Sequence, residues 1–119
     1  MPFDSTPIPT KKTETLHILE RAARLLVEGW IQEEFENDDG YCLVGAVRAS
    51  AELQSSVKAS TNEEKVNTYI VAAISEEWVG YEPDSDGIIE FNDDPDRTHE
   101  DILEVMDRAI SLAEEKEHG

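Results

Sequence analysis

Apolar residues recur at helical spacing in four stretches of the chain. From Thr13 onward, Leu16, Leu19, Ala23 and Leu26 fall three or four apart, and Ile18, Ala22 and Leu25 widen the stripe. Thr10 or Thr13 can cap this helix, and Gly29 fits a left-handed residue just past its end. Trp30 then falls where a contact back to Leu25 or Leu26 would close the terminus. A second helix is predicted from Tyr41 or Cys42 to about Ser56, with Leu43, Val47 and Leu53 on its inner face. Gly45 inside it lowers helix propensity by ~1 kcal/mol relative to alanine, which points to a close approach by a neighbouring helix. The third helix opens on a capping box, Thr61-Asn62-Glu63-Glu64, continues along Val66, Ile70, Ala73, Ile74 and Trp78, and stops at Gly80. The fourth is capped by Thr98 with Asp101 three residues on, and buries Ile102, Val105, Met106, Ala109, Ile110 and Ala113.

The connections read differently. Residues 1–12 contain three prolines and no apolar period, which predicts a flexible tail ahead of a single helical domain at 13–115. Residues 31–40 form an acidic connection ending in an Asn-Asp-Asp-Gly turn. Residues 80–97 are expected to be loop, with room for a very short β element at 88–91, because Pro95 blocks a helix running through. The fold class is therefore all-α, a compact bundle of about four helices.

Charge changes this picture from a generic bundle to a polarised one. Residues 1–29 balance four acids against four bases, so the whole net charge of −18 arises beyond them. Between 76 and 101 there are eleven acids and one base, Arg97. Such a field repels nucleic-acid phosphates and anionic lipid and attracts cations or basic protein surfaces. Direct nucleic-acid or membrane partners are not expected. No stretch approaches the roughly 18 consecutive apolar residues of a membrane span. A single cysteine, Cys42, excludes an internal disulfide framework and suits a reducing compartment, so the cytoplasm is the expected address.

Three segments carry a resemblance. They are Leu25–Gln32 with its Gly-Trp pair, residues 39–49 with Cys-Leu-Val-Gly-Ala, and residues 91–110, which start Phe-Asn-Asp-Asp-Pro-Asp-Arg-Thr. Together they resemble an uncharacterised helical domain family common in actinobacteria and their phages, whose members usually carry tryptophan where Phe91 stands. The resemblance covers most of 14–113 and leaves out the tail and residues 80–90. It implies a helical fold and no chemistry, and, for a phage-encoded chain, residence in the host cytoplasm.

Four constellations remain as candidates. Asn92 and Asp93 can fold onto nearby backbone amides, Thr98 caps a helix, and Arg97 can fork onto a neighbouring carboxylate, which together make a structural clasp. The segment 82–93 carries oxygens at the spacing of a calcium-binding EF-hand loop: Glu82, Asp84, Asp86, Glu90 and Asp93, with Gly87 at the turn and Ile89 after it. It departs from that pattern in its first residue, its last residue and the delay that Pro95 imposes on the exiting helix. Calcium is the alternative to a chain with no cofactor. Cys42 lies close to Asp38 and Asp39 and reads as a packed residue more readily than as a nucleophile, so no catalytic residue and no enzymatic activity is expected. The acidic surface is the feature left with functional weight, through Asp84, Asp86, Glu90, Asp93, Asp94, Asp96, Glu100 and Glu104. The expected role is binding a basic protein, with mimicry of a nucleic-acid backbone against a DNA- or RNA-binding protein as one form of it.

Overall fold

The computed structural model describes residues 13–54 and 59–117, with side chains from 52 to 62 left aside. The predicted tail 1–12 and the inward-facing role of Leu53 lie outside what is described. The described residues form five helices: α1 (Glu14–Glu28), α2 (Leu43–Gln54), α3 (Ala59–Ser75), α4 (Ser85–Asp93) and α5 (His99–Glu117). A two-stranded antiparallel hairpin, β1 (Glu36–Asn37) and β2 (Gly40–Tyr41), precedes α2.

α1 begins where the pattern predicts, with the Thr13 hydroxyl accepting from the Leu16 amide at 3.3 Å. It packs against α2 and α5, and α3 closes the other side against α5 and α2. One apolar cluster draws on all five helices, with Ile18, Leu19, Leu26, Leu43, Val47, Val66, Ile70, Ile88, Phe91, Ile102 and Met106 fully enclosed. Most stripe positions read from periodicity are buried, while Ala23, Leu25, Trp78 and Ile110 are only partly so, and burial of this apolar area is the main force holding the helices together.

Several expectations are corrected. Gly29 is extended (φ −178°), not left-handed. It is glycine because of a close approach: a β-carbon there would collide with the Asp39 carbonyl, and one at Gly40 (φ +151°) would collide with the Gly29 backbone. The two glycines let residues 29–31 lie beside Tyr41, through Tyr41 N–H to Gly29 O at 3.1 Å and Ile31 N–H to Tyr41 O at 3.0 Å. The β element is thus at 36–41, around the predicted Asp38-Asp39 turn, and not at 88–91. Gly45 is approached by the Phe35 carbonyl of the preceding loop, where a neighbouring helix was expected. α3 starts at Ala59, so Thr61 lies inside the helix and not at its cap, and it ends at Ser75, five residues before Gly80.

The largest departure is α4, which occupies the predicted 80–97 loop. Asp84 caps it, its Oδ1 accepting from the Gly87 amide at 3.1 Å. Ile88 and Phe91, three apart, are drawn wholly into the core, and that burial turns a short acidic segment into a helix.

Candidate interaction surface

The 91–98 segment joins α4 to α5, and its side chains reach far across the sequence. Asn92 is 1% exposed. Its Oδ1 accepts from the Trp30 indole N–H at 2.7 Å and from the Leu43 backbone amide at 3.0 Å. Its Nδ2 donates to the Ile31 carbonyl at 3.1 Å and to Asp93 Oδ1 at 3.0 Å. The amide therefore uses both its acceptor and its donors, and it serves the first turn of α2 where a local loop contact was expected. Gln32 adds two bonds in the same direction, donating to the Asn92 and Asp94 carbonyls at 3.0 and 2.8 Å. Glu33 N–H donates to Asp93 Oδ1 at 2.9 Å. Residues 30–33 and 92–94 are thus stitched together across about sixty positions of chain.

Arg97 is 6% exposed in its side chain. Its guanidinium lies 3.7 Å from the Phe91 ring centroid and 5.0 Å from that of Trp78. Nε donates to the Phe91 carbonyl at 3.0 Å and Nη2 to the Tyr81 hydroxyl at 2.9 Å. Asp94 and Asp101 carboxylates stand at 3.8 and 3.7 Å. A buried cation is tolerable only when donors and charge are both met, and here carbonyl, hydroxyl, carboxylate and ring faces meet them. The Tyr81 hydroxyl in turn donates a hydrogen bond to Asp94 Oδ2 at 2.8 Å. The Asp96 amide, the Tyr81 hydroxyl and Arg97 together hold the Asp94 carboxyl below its usual range.

Thr98 and Asp101 form a reciprocal box at the start of α5: Asp101 N–H to Thr98 Oγ1 at 3.1 Å, Thr98 N–H to Asp101 Oδ2 at 3.2 Å. His99 is stacked on Trp30, centroids 6.0 Å apart, with Nε2 2.6 Å from the Leu26 carbonyl. A carbonyl only accepts, so Nε2 carries the hydrogen and satisfies one of the orphan carbonyls at the end of α1. Trp30 is held by its indole bond to Asn92 and its stacking on His99. Periodicity could not show Trp30, Gln32, Tyr81 or His99 as partners. Their only trace in the sequence is that Gly-Trp-Ile-Gln and Asn-Asp-x-Pro-x-Arg-Thr occur in one chain.

The eight acidic surface residues divide. Asp93 and Asp94 are bound internally, Asp84 caps α4, and Glu104 Oε2 lies 2.6 Å from Arg108, which also holds Glu77. Asp86, Glu90, Asp96 and Glu100 are exposed and their carboxylates have no partner among the described residues. The EF-hand spacing is not realised as a loop, because residues 85–93 are helical and Asp84 is committed to its cap. No three His, Cys, Asp or Glu side chains among the described residues are grouped to hold a metal ion.

Cys42 is 4% exposed and acts as the cap of α2: the Gly45 amide donates to its Sγ at 3.3 Å and the Ala46 amide to its carbonyl at 2.9 Å. Burial pushes the thiol above its ordinary value, and the charge of Asp93 adds to that; hydrogen bonds from the Gly45 and Val44 amides oppose without reversing it. A thiol so placed is a poor nucleophile at neutral pH. No helix among the described residues is long and apolar enough to cross a membrane.

No curated protein and no solved structure matches this chain. A family model does, and it runs through residues 80–90, which the resemblance read from the sequence had left out. With residues 10–112 matched, nearly the whole helical region and the Asn92 junction within it, the chain belongs to the family of unknown function DUF6197.

Proposed function

We propose that this protein is a non-enzymatic binding protein whose acidic face, on α4, the following loop and the start of α5, engages a basic protein surface. The observation that carries this reading is the position of Arg97. It is the only base between residues 76 and 101, and it is internal beneath three aromatic rings. Asp86, Glu90, Asp96 and Glu100 consequently face solvent with no counter-charge from their own stretch. Uncompensated carboxylates on rigid elements raise the rate and selectivity of encounter with a cationic partner.

The test is the variant with Asp86, Glu90, Asp96 and Glu100 changed to their amides, compared with the native protein in capture from the source organism's extract across a salt series. The native protein is expected to retain a basic protein that elutes well below ~1 M salt, where the Debye length falls to about 3 Å. The fourfold variant is expected to lose it. Equal capture by both proteins, or a partner that stays bound through ~1 M salt, defeats the reading. Displacement of that partner by duplex DNA would identify it as a nucleic-acid-binding protein and the acidic face as a stand-in for phosphates.

A further inference from the structure

A cavity of about 130 Å³ lies between the 33–35 segment and α4. It falls below the ~300 Å³ at which pockets for small-molecule ligands begin, yet exceeds the ~30 Å³ that one water occupies in the liquid. Its apolar lining is Phe35, Ile89 and Cys42, and its polar lining includes Glu33, Glu34 and Asp93. Asn92 also borders it, with its amide group already engaged on both atoms. Phe35 is 47% exposed, so its ring is open to an approaching group.

The 33–35 segment that borders the cavity is fixed at both ends. Glu33 has φ 72°, a conformation that costs a non-glycine residue energy, and its amide is pinned to Asp93 Oδ1. The Phe35 carbonyl accepts from the Cys42 amide at 3.1 Å, fixing the other end of the segment. Neither the Glu33 carboxylate nor Asp93 Oδ2 has a partner among the described residues. An apolar slot with acidic groups in its lining is a poor match for an anion, and a purely apolar occupant would leave those carboxylates desolvated without a counter-charge. The matching shape is an alkyl stem ending in a cation, which lines apolar surface while its charged head stays with acceptors. The Phe35 ring already accepts a cation, the Arg48 guanidinium lying 4.8 Å from its centroid.

We propose that this cavity is an anchor subsite for one lysine or arginine side chain of a partner protein. The stem lies against Ile89 and Phe35, and the cationic head is among Glu33, Glu34 and Asp93. The assignment rests on the reading that the partner is basic, and it adds a definite place where that partner is gripped.

The probes are n-butylammonium and n-butylguanidinium chloride, with n-butanol and tetramethylammonium chloride as apolar-only and charge-only controls, followed by amide NMR shifts of the full chain. Saturable shifts are expected at residues 33–35, Cys42, Ile89 and Asn92 with at least one alkyl cation, and about tenfold weaker binding of either control. Ile89→Phe fills the slot without changing charge and is expected to weaken the cation by about tenfold; Glu33→Gln, at an exposed position, weakens it several-fold and serves if Ile89→Phe does not fold. Shifts scattered over all exposed carboxylates without saturation, tighter binding of n-butanol, or unchanged affinity in the folded variants overturns the subsite. The fourfold amide variant separates the two ideas, since it retains every residue lining the slot. If it still binds the alkyl cation while losing the partner, both stand. If neither Ile89→Phe nor Glu33→Gln reduces partner capture, the subsite falls and the acidic face remains.

Discussion

At the residue scale, Asn92 concentrates more of the architecture than any other polar side chain described. Replacing it by alanine would strand the Leu43 amide, the Trp30 indole N–H and the Ile31 carbonyl together. Each buried group left unmet costs ~1–3 kcal/mol, so Asn92→Ala is expected to lower unfolding free energy by roughly 3 kcal/mol or more in urea titration. A loss under about 1 kcal/mol would mean that water replaces the amide without penalty. Cys42 predicts the opposite behaviour. A serine hydroxyl can take over its capping bond, so Cys42→Ser is expected to stay within about 1 kcal/mol of the native protein. The native thiol should react with a disulfide reagent only after unfolding, as burial keeps it protonated and covered. Fast modification of the folded protein would contradict that placement.

Elements differ in how plainly the sequence announces them. α1, α2, α3 and α5 were legible because each carries apolar residues on one stripe over three turns or more. α4 was not. It is nine residues long, flanked by Pro83 and Pro95, and its acids match a metal-loop spacing. The available signal was Asp84 followed by Ile88 and Phe91, a cap and two inward positions, which is too little to outweigh two prolines before tertiary contacts are known. The hairpin was hidden for a related reason. Its two-residue strands carry no alternation, and backbone pairing beside Gly29 and Gly40 creates it. The candidate site was legible in the same divided way: the acids and the Asn92–Thr98 unit stood out, while the partners that bind them, some sixty residues earlier, did not. A helix interior normally gains ~1 kcal/mol when glycine becomes alanine. At Gly45 the sign should invert, since the new methyl meets the Phe35 carbonyl. A lower melting temperature for Gly45→Ala is the expected result, and a higher one would show that the 33–35 segment yields easily.

For the whole molecule, charge sets the response to solution conditions. Burial acts to raise the Glu117 carboxyl, but hydrogen bonds from Tyr69 and Thr13 and the Lys65 ammonium outweigh it, so the group lies below its ordinary 4.5. Asp94 lies below its ordinary 3.8. A carboxyl depressed in the folded state adds stability above its unfolded value and loses it as pH falls through the folded value. Glu104 runs the other way: a hydrogen bond with Glu77 and that group's charge raise it, so acidification toward its range relieves a repulsion. Net charge of −18 adds a diffuse repulsion of the same sign. The melting temperature should therefore rise as pH is lowered from 7 toward about 5, then fall below about 4 as the Asp94 and Glu117 contacts are protonated. Added salt should raise it at pH 7, because screening weakens the diffuse term more than the part-buried contacts. A melting temperature indifferent to salt at neutral pH would show that repulsion contributes nothing.

Arg97 has one more consequence, for a protease. Among the described residues the basic side chains beyond α3's Lys65 are Arg97, Arg108 and Lys116, so trypsin has a single target in the long acidic reach from Lys65 to Arg108. In the folded chain that target is sealed under Phe91 and Trp78. Scission after Arg97 thus reports, bond by bond, how often the junction between the last two helices comes apart.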